Sequence, residues 1–239
     1  MVLAILQARM SSTRLPGKVM ADLAGAPMIL RQIERLRRAP SLTRIVVATS
    51  VQPGDDPLSE ALAVAAVPVF RGALDDVLAR FIGAIDAFGP ADVAVRLTAD
   101  CPLADPAVIE ATLALRQVTD ADYTANAGER RTFPKGLDVE VFKVAALRAA
   151  AAESTDPYDR EHVTPFLYRR PERFALAFHH QTVDEGDVRW TVDRPDDLAF
   201  VRAVYEALYP VDPAFSSDDV RAFVRSRPDL LLLGGDRRL

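Results

Sequence analysis

Four short aliphatic runs, Val2–Leu6, Ile45–Thr49, Val67–Phe70 and Val93–Leu97, recur through the first half of the chain with helical patterns between them. Each is too continuously apolar for a strand with one wet face, so all four are expected in a parallel sheet covered on both sides. The intervening stretches Met28–Arg38, Pro57–Ala66 and Asp75–Phe88 read as helices, and in the last Val77, Phe81, Ile85 and Phe88 form one core-facing stripe. Asp56-Pro57 and Asp105-Pro106 each place an acidic cap before a first-turn proline. Strand–helix alternation of this kind requires right-handed crossovers and a doubly wound, mostly parallel α/β sheet.

After Ile109–Arg116 the rhythm changes. Tyr123, the polar stretch Asn126–Gly136, Val139–Phe142 and Phe174–His180 predict an irregular, partly antiparallel subregion, with helices at Ala145–Ala152 and Tyr158–Tyr168 inside it. Val188–Val192 returns to the buried-strand pattern, helices follow near Asp196–Leu208 and Ser217–Arg227, and Gly234–Leu239 reads as a loose tail. With no internal repeat or low-complexity stretch, the 239 residues are expected to form one domain over 1–239 with 120–180 as an insertion.

Composition narrows the function. A net charge of −5 opposes a nucleic-acid binder that works by neutralising phosphates, although 29 Lys and Arg leave room for a local anion site. The single cysteine, Cys101, excludes an intramolecular disulfide and suits the reducing cytoplasm. Met1–Leu6 is apolar but short and has no basic flank before it, so a buried strand is expected there, with no signal peptide or membrane span.

Open α/β sheets bind ligands outside the carboxyl ends of their strands. The segment in that position after the first run is Gln7-Ala-Arg-Met-Ser-Ser-Thr-Arg-Leu-Pro-Gly-Lys18. Its Arg9, Arg14 and Lys18, its hydroxyls and its Pro16-Gly17 turn suit the wrapping of a triphosphate. It has neither Walker A nor GxGxxG spacing, and a solvated basic loop is the alternative. Two aspartates also close apolar runs: Asp100 in Arg96-Leu-Thr-Ala-Asp100, and Asp193 in Val188-Arg-Trp-Thr-Val-Asp193. If those runs are neighbours, both carboxylates reach one ion, and Mg²⁺ takes one or two carboxylates together with phosphate oxygens and water. The alternative is that each aspartate caps the next helix or turn. Asp120-Ala-Asp122 is read as turn chemistry. With no cysteine partner and no helical histidine spacing, zinc is not expected.

The Leu6–Lys18 stretch resembles the N-terminal signature of the SpsF-type spore coat polysaccharide cytidylyltransferases, which group with the CMP-sialic acid and CMP-KDO synthetases. The similarity continues in the same order through Phe70–Arg80, Arg96–Leu103, Gly136–Phe142, Arg160–Pro165 and Arg189–Pro195. It implies a Rossmann-like sheet of the nucleotide-diphospho-sugar transferase type. It also implies transfer of CMP from CTP to a sugar-acid hydroxyl, with release of pyrophosphate, in surface polysaccharide biosynthesis.

By the same resemblance, Asp100 and Asp193 hold Mg²⁺, and Gln7, Ala8, Arg9, Ser11, Arg14 and Lys18 hold the nucleotide. Arg9 and Lys18 then join the two aspartates as catalytic residues. Arg71, Asp76 and Arg80 line the base and ribose edge, although an Asp75 helix cap and an exposed Asp76–Arg80 pair account for much of that edge. The acceptor is expected to meet the insertion through Arg131, Lys135, Asp138, Glu140, Glu161 and His162. His179 and His180 alternate along a strand, so one of them faces inward.

A homodimer joined through residues 120–180 is also implied, where Phe133, Phe142, Phe166, Phe174 and Phe178 concentrate. Three further readings remain: a same-fold enzyme using another nucleotide or a phosphorylated acceptor, a glycosyltransferase, and a noncatalytic nucleotide-binding protein. No side chain stands out as a general base.

Overall fold

The four aliphatic runs of the first half lie side by side and parallel. The computed structural model describes residues 1–128 and 130–239; Glu129, within the polar stretch 126–136, lies outside the described residues. In chain order the first half contains β1 (Val2–Gln7), a small hairpin β2 (Asp22–Leu23) and β3 (Ala26–Pro27), α1 (Met28–Leu36), β4 (Arg44–Ser50), α2 (Asp56–Val64), β5 (Val69–Gly72), α3 (Val77–Phe88) and β6 (Val93–Thr98). β1 pairs with β4 on one side and β6 on the other, and β5 lies outside β4, all in parallel. Alternation along β1 sends Ala4 and Leu6 into one core layer and Leu3 and Ile5 into the other, as a sheet buried on both faces requires. β5 starts later than its apolar run. Ala66 turns out of α2 with a left-handed φ of 53°, and the Val67 amide still donates to Leu62 O at 2.9 Å.

The second half contains α4 (Pro106–Thr119), β7 (Tyr123–Ala125), β8 (Glu140–Lys143), α5 (Val144–Glu153), α6 (Pro157–His162), α7 (Pro165–Tyr168), β9 (Leu176–Phe178), α8 (Pro195–Leu208) and α9 (Ser217–Arg225). β8 runs antiparallel to β6, β7 antiparallel to β8, and β9 parallel to β7, extending the sheet to seven strands in the order β5-β4-β1-β6-β8-β7-β9. The expected mostly parallel, doubly wound fold with an antiparallel insertion is therefore present. Among the described residues no helix is long and apolar enough to cross a membrane.

Four local expectations need correction. The helix expected over Tyr158–Tyr168 breaks at Val163 (φ 74°), where Pro165, which lacks an amide proton, opens a new turn. Val188–Val192 is as buried as expected, with Val188, Trp190 and Val192 fully inaccessible, but it is not a sheet strand. β8 occupies the edge of β6, so this segment makes only a single bridge, Lys135 to Arg189. Gly234–Leu239 is not a loose tail: Arg238 is completely buried, and its carbonyl accepts from Trp190 Nε1 at 2.9 Å. Finally, Phe133, Phe142, Phe166 and Phe174 pack inside the chain, and of the five phenylalanines assigned to an interface only Phe178 is exposed.

The 188–192 segment sits against the turn at Gly136, whose φ of 113° favours glycine; a Cβ there would lie 2.7 Å from Thr191 N. Lys135 seals this contact, its amide donating to Val188 O at 2.9 Å and its carbonyl accepting from Trp190 N at 2.7 Å. Gly136→Ala is expected to cost about 1–3 kcal/mol of stability. Urea unfolding reads this as a lowered midpoint at unchanged slope, and an unchanged midpoint would show that the segment yields freely.

Candidate active site

Because β1, β4, β5 and β6 are parallel, their carboxyl ends share one edge of the sheet. The chain leaves β1 toward β4, whereas β6 lies on the other side of β1, so the crevice between the ends of β1 and β6 is the topological switch point. Loop 8–18 stands on one wall and loop 99–105 on the other. β8 runs the opposite way, so its first residue, Glu140, comes to this same edge opposite Arg96.

Loop 8–18 is pinned at Met10. The Met10 carbonyl accepts from Ser12 N and Gly17 N, both at 2.9 Å, while its amide donates to Asp55 Oδ1 at 2.7 Å. Asp55 also accepts from the Ser50 amide at 3.2 Å and from the Ser50 hydroxyl, and so ties the loop to the end of β4. Burial alone would raise the Asp55 carboxyl, but the hydrogen bonds from Met10 and Ser50 outweigh it and hold the group below the usual carboxylate range. This residue was missed in the sequence, where only its neighbour Asp56 stood out as a helix start.

The expected nucleotide residues divide. Ala8 is buried and pairs by backbone with Ala48, and Gln7 Oε1 lies 3.4 Å from Arg96. Arg9, Ser11 and Arg14 are exposed on the loop. Arg80 is buried rather than paired on the surface with Asp76: Nη1 donates to Ala73 O at 2.7 Å, while Nε and Nη2 have no partner among the described residues. Burial, with Arg9 nearby, pushes its guanidinium down to about 10. Two unpartnered N–H groups on a buried cation suit an anionic ligand.

Arg71 and Asp76 instead have their polar groups committed within the chain. Arg71 donates to Ser50 O (2.9 Å), Gln52 O (3.0 Å) and Asp56 (2.6 Å). Asp76, rather than Asp75, caps α3 by accepting from Ala79 N, and it also binds Arg160 at 2.6 and 2.8 Å.

At the crevice itself, Lys18 Nζ donates to Val192 O at 2.7 Å, Asp193 Oδ1 at 3.0 Å and Asp100 Oδ2 at 3.3 Å. The two aspartates meet although their segments are not paired strands; Val192 N reaches instead to Asp100 O at 2.8 Å. Asp193 Oδ1 also faces Arg14 at 3.0 Å, and Oδ2 accepts from Arg189 at 2.6 Å. Burial opposes its ionisation, but Lys18, Arg189 and Arg14 together hold its carboxyl below the usual range. Asp100 Oδ1 accepts from Thr98 Oγ1 at 2.6 Å. The thiol of Cys101 beside it is pushed well up by burial and by Asp100, so it is protonated and no nucleophile.

The donor set at this point fits a hard divalent cation. Two partly accessible carboxylates converge, and among the described residues no third carboxylate, histidine or thiol completes a cage. Mg²⁺ bound with substrate phosphates takes its remaining ligands from those phosphates and from water.

Beside this centre opens a cleft of about 1040 Å³, reached through Thr98. Of the six residues expected to meet the acceptor, Arg131, Asp138, Glu140 and His162 line it. Glu161 and Lys135 are exposed and do not. Arg131 pairs with Asp138, and Arg96 with Glu140, which also accepts from Thr164 Oγ1 at 2.5 Å and Tyr123 Oη at 2.6 Å. Burial favours a neutral Glu140, yet Arg96 and these hydroxyls bring its carboxyl below the usual range. Asp138 goes the other way: burial raises it, with Glu140 and Asp100 adding to the effect and Arg131 opposing.

Tyr158, its ring tilted 48° to that of His162 at 4.2 Å and lying 4.5 Å beneath Arg169, forms one wall, which sequence reasoning did not find. β9 ends at Phe178, so His179 and His180 follow the strand instead of alternating within it; His179 meets Thr112 Oγ1 at 2.9 Å and His180 lines the cleft. Asp120 and Asp122 both pair with Lys143 at a turn, in keeping with their reading as turn residues.

Comparison with known proteins agrees with this geometry. The family model described as cytidylyltransferase matches residues 3–206. The spore coat polysaccharide biosynthesis protein SpsF of Bacillus subtilis is 31% identical over 244 residues, covering 95% of each chain. A 3-deoxy-manno-octulosonate cytidylyltransferase of Mesorhizobium japonicum is 32% identical, covering 72% of this chain and 77% of its own. Among solved structures, a cytidylyltransferase from Leptospira borgpetersenii superposes with a TM-score of 0.89 at 29% identity, covering 96% of this chain and 95% of that one.

The Asp55 clamp has a pH signature. Its folded carboxyl lies below the unfolded value of about 3.9, so its contribution is complete above that value and is lost as pH falls through the folded pKa. Asp55→Asn is expected to be about 1.5–3 kcal/mol less stable than the parent at pH 7. Urea unfolding at pH 7 and in strong acid should show that gap closing. A gap independent of pH would mean that the Asp55 charge contributes nothing to the clamp.

Proposed function

This chain belongs to the cytidylyltransferase family, and from that premise we propose that it transfers CMP from CTP to a hydroxyl of a sugar acid for surface polysaccharide biosynthesis. The observation that carries this reading is the meeting of Asp100 and Asp193 on one lysine ammonium at the switch point, between a cationic loop and a separate cleft. The loop side suits the triphosphate, with Arg9, Arg14, Lys18 and the unpartnered Arg80 N–H groups offsetting its charge. The cleft suits the acceptor. Arg131, Arg169, His162 and His180 favour a carboxylate, and Asp138 and Glu140 offer acceptors for its hydroxyls. The relatives named above point the same way, one toward polysaccharide synthesis and one toward an octulosonate, itself a sugar acid.

In the proposed step the acceptor hydroxyl oxygen bonds to the α-phosphorus of CTP. The bond from that phosphorus to the bridging oxygen breaks, pyrophosphate departs, and the hydroxyl proton is released. Lys18 and Arg14 stabilise the charge gathering on the departing pyrophosphate, and the cleft holds the hydroxyl in line. Mg²⁺ held by Asp100 and Asp193 would supply Lewis-acid polarisation of the phosphate.

A pyrophosphate-release screen pairing each of four nucleoside triphosphates with sugar acids and phosphorylated small molecules tests the reaction. Turnover with CTP and a sugar acid is expected, and turnover confined to another nucleotide or to phosphorylated acceptors would overturn it. With the substrates so found, Asp100→Asn and Asp193→Asn should each lower kcat by roughly 100-fold or more while the protein stays folded, a loss on the scale of removing charge stabilisation from a transition state. Near-normal turnover at saturating Mg²⁺ would remove that residue from the centre.

A homodimer through residues 120–180 accompanies this reading, with the exposed Tyr158 and Phe178 as its apolar contacts. Light scattering is expected to give twice the 26.1 kDa chain mass, and a monomer at micromolar concentration would refute it.

A further inference from the structure

Away from the crevice, the most completely buried ion pair among the described residues joins Arg238 to Asp197, neither of which has any exposed side-chain surface. Arg238 lies outside the residues matched by the family model, 3–206, in the stretch whose sequence reads as a tail. Every nitrogen of its guanidinium is engaged. Nη2 donates to Asp197 Oδ1 at 2.9 Å and Leu233 O at 3.0 Å, Nε to Leu233 O at 3.1 Å, and Nη1 to Arg189 O at 2.8 Å. The backbone on either side adds two bonds: Arg189 N donates to Arg237 O at 2.8 Å and Trp190 Nε1 to Arg238 O at 2.9 Å. Gly234 fits this stretch closely against the start of α8, since a Cβ there would lie 2.6 Å from the Asp196 side chain.

Asp197 passes the restraint on. Its Oδ2 accepts from Asp193 N and Arg194 N, both at 2.9 Å, and from Arg189 Nη2 at 3.1 Å, while Oδ1 accepts from Arg189 Nε at 3.1 Å. Arg189 then reaches Asp193 Oδ2 with the same Nη2 at 2.6 Å. Arg194 also lies 3.6 Å from Asp197 Oδ1, and Asp236 pairs with Arg194 and stands 3.8 Å from Arg189, so three guanidiniums are divided among three carboxylates, of which Asp193 faces the crevice.

We infer that Arg238 is a positioning residue for Asp193: by sharing the buried Asp197 with Arg189 it lets Arg189 Nη2 reach Asp193 Oδ2 as well, which turns Oδ1 toward Lys18 and the nucleotide. Without Arg238, the buried Asp197 keeps Arg189 as its nearest full counter-charge and draws that fork away from Asp193, because a buried carboxylate left short of partners is costly. The inference rests on the reading of Asp193 as a ligand of the divalent ion that accompanies CTP. Groups behind a metal's ligands commonly tune its affinity through hydrogen bonds of this kind.

The test is calorimetric titration of CTP into the full chain, once with Mg²⁺ and once with a chelator, for the parent and for Asp193→Asn, Arg238→Ala, Arg238→Lys and Arg189→Lys. The readout is the ratio of the two affinities, the gain due to the metal. That ratio is insensitive to a fraction of unfolded protein, which lowers stoichiometry instead. In Asp193→Asn the gain should vanish, and in Arg238→Ala it should fall by about tenfold or more, with metal-free affinity little changed. Arg238→Lys should recover part of the gain. Arg189→Lys, which keeps the charge but loses the fork, should lose it even if Arg238→Ala fails to fold.

A full gain in both Arg238→Ala and Arg189→Lys, with none in Asp193→Asn, overturns the positioning role and leaves Asp193 as a ligand. If Arg238→Ala does not fold, a full gain in Arg189→Lys alone overturns it. A full gain in Asp193→Asn overturns the ligand reading, and the inference falls with it.

Discussion

One ammonium group joins three stretches of chain that are far apart in sequence. All three donors of Lys18 are used, on Asp100, on Asp193 and on the carbonyl of Val192, in a site that leaves the side chain only 9% exposed. The two carboxylates repel each other, and the low dielectric at the base of the crevice strengthens both that repulsion and their attraction to the cation between them. Taking the cation away would leave Asp100 without its cationic partner and Asp193 with Arg14 and Arg189. The position of loop 8–18, the closure of the loop after β6 and the course of residues 188–193 therefore depend on the same contact. That contact is also the point where the proposed chemistry takes place.

The sheet decides why residues 188–193 arrive there by an unusual route. In a wholly parallel sheet the free edge of β6 would accept another strand, and a run as apolar as Val188–Val192 would suit it. The insertion takes that edge first with β8, so the run packs its side chains into the core layer beneath the sheet. Its backbone is held by Lys135 and by the Asp100 carbonyl. The same substitution builds the cleft. Because β8 is antiparallel, it presents Glu140 at the carboxyl edge of β6, where Arg96, Tyr123 and Thr164 fix it among the cleft-lining residues. A single change of strand direction thus places the acceptor side next to the nucleotide side.

What the sequence made legible follows the range of the interactions involved. The parallel half was readable because continuous Val, Ile and Leu runs report burial on both faces, and the loop after β1 was readable because its cations cluster within a few residues. Asp100 and Asp193 stood out through local pattern and resemblance, although the paired strands assumed for them do not exist. Asp55 escaped notice because its partners are backbone amides supplied by distant segments, and Asp56-Pro57 beside it carried the stronger local signal. Arg238 escaped for the same reason, since a short polar stretch after a helix has the composition of a loose end. Arg71 and Asp76 were expected at the base and ribose edge. Their polar atoms, however, are occupied by neighbouring carbonyls and by Arg160, which only the three-dimensional packing reveals.

An acidic chain can still bind a polyanion because charge is distributed locally, and the edge proposed here for the triphosphate carries an under-paired buried cation. Asp55 and Asp76 stand near Arg80, yet both are occupied, one with the amide of Met10 and the end of β4, the other with Arg160 and the cap of α3. Arg80 is left buried with Nε and Nη2 unpartnered among the described residues, and burial, with Arg9 adding to it, depresses its pKa to about 10, which still leaves it charged at neutral pH. Such an arrangement costs stability in the free protein, since a buried cation short of acceptors is unfavourable. A phosphate group at this edge would supply the missing acceptors and offset two like charges. The proposed binding would thus draw on relieving a deficit already built into the fold. This is preorganisation in the physical sense: Arg80 is held in place by the carbonyls of Ala73 and Leu74, and little rearrangement would be needed for an anion to meet its remaining N–H groups.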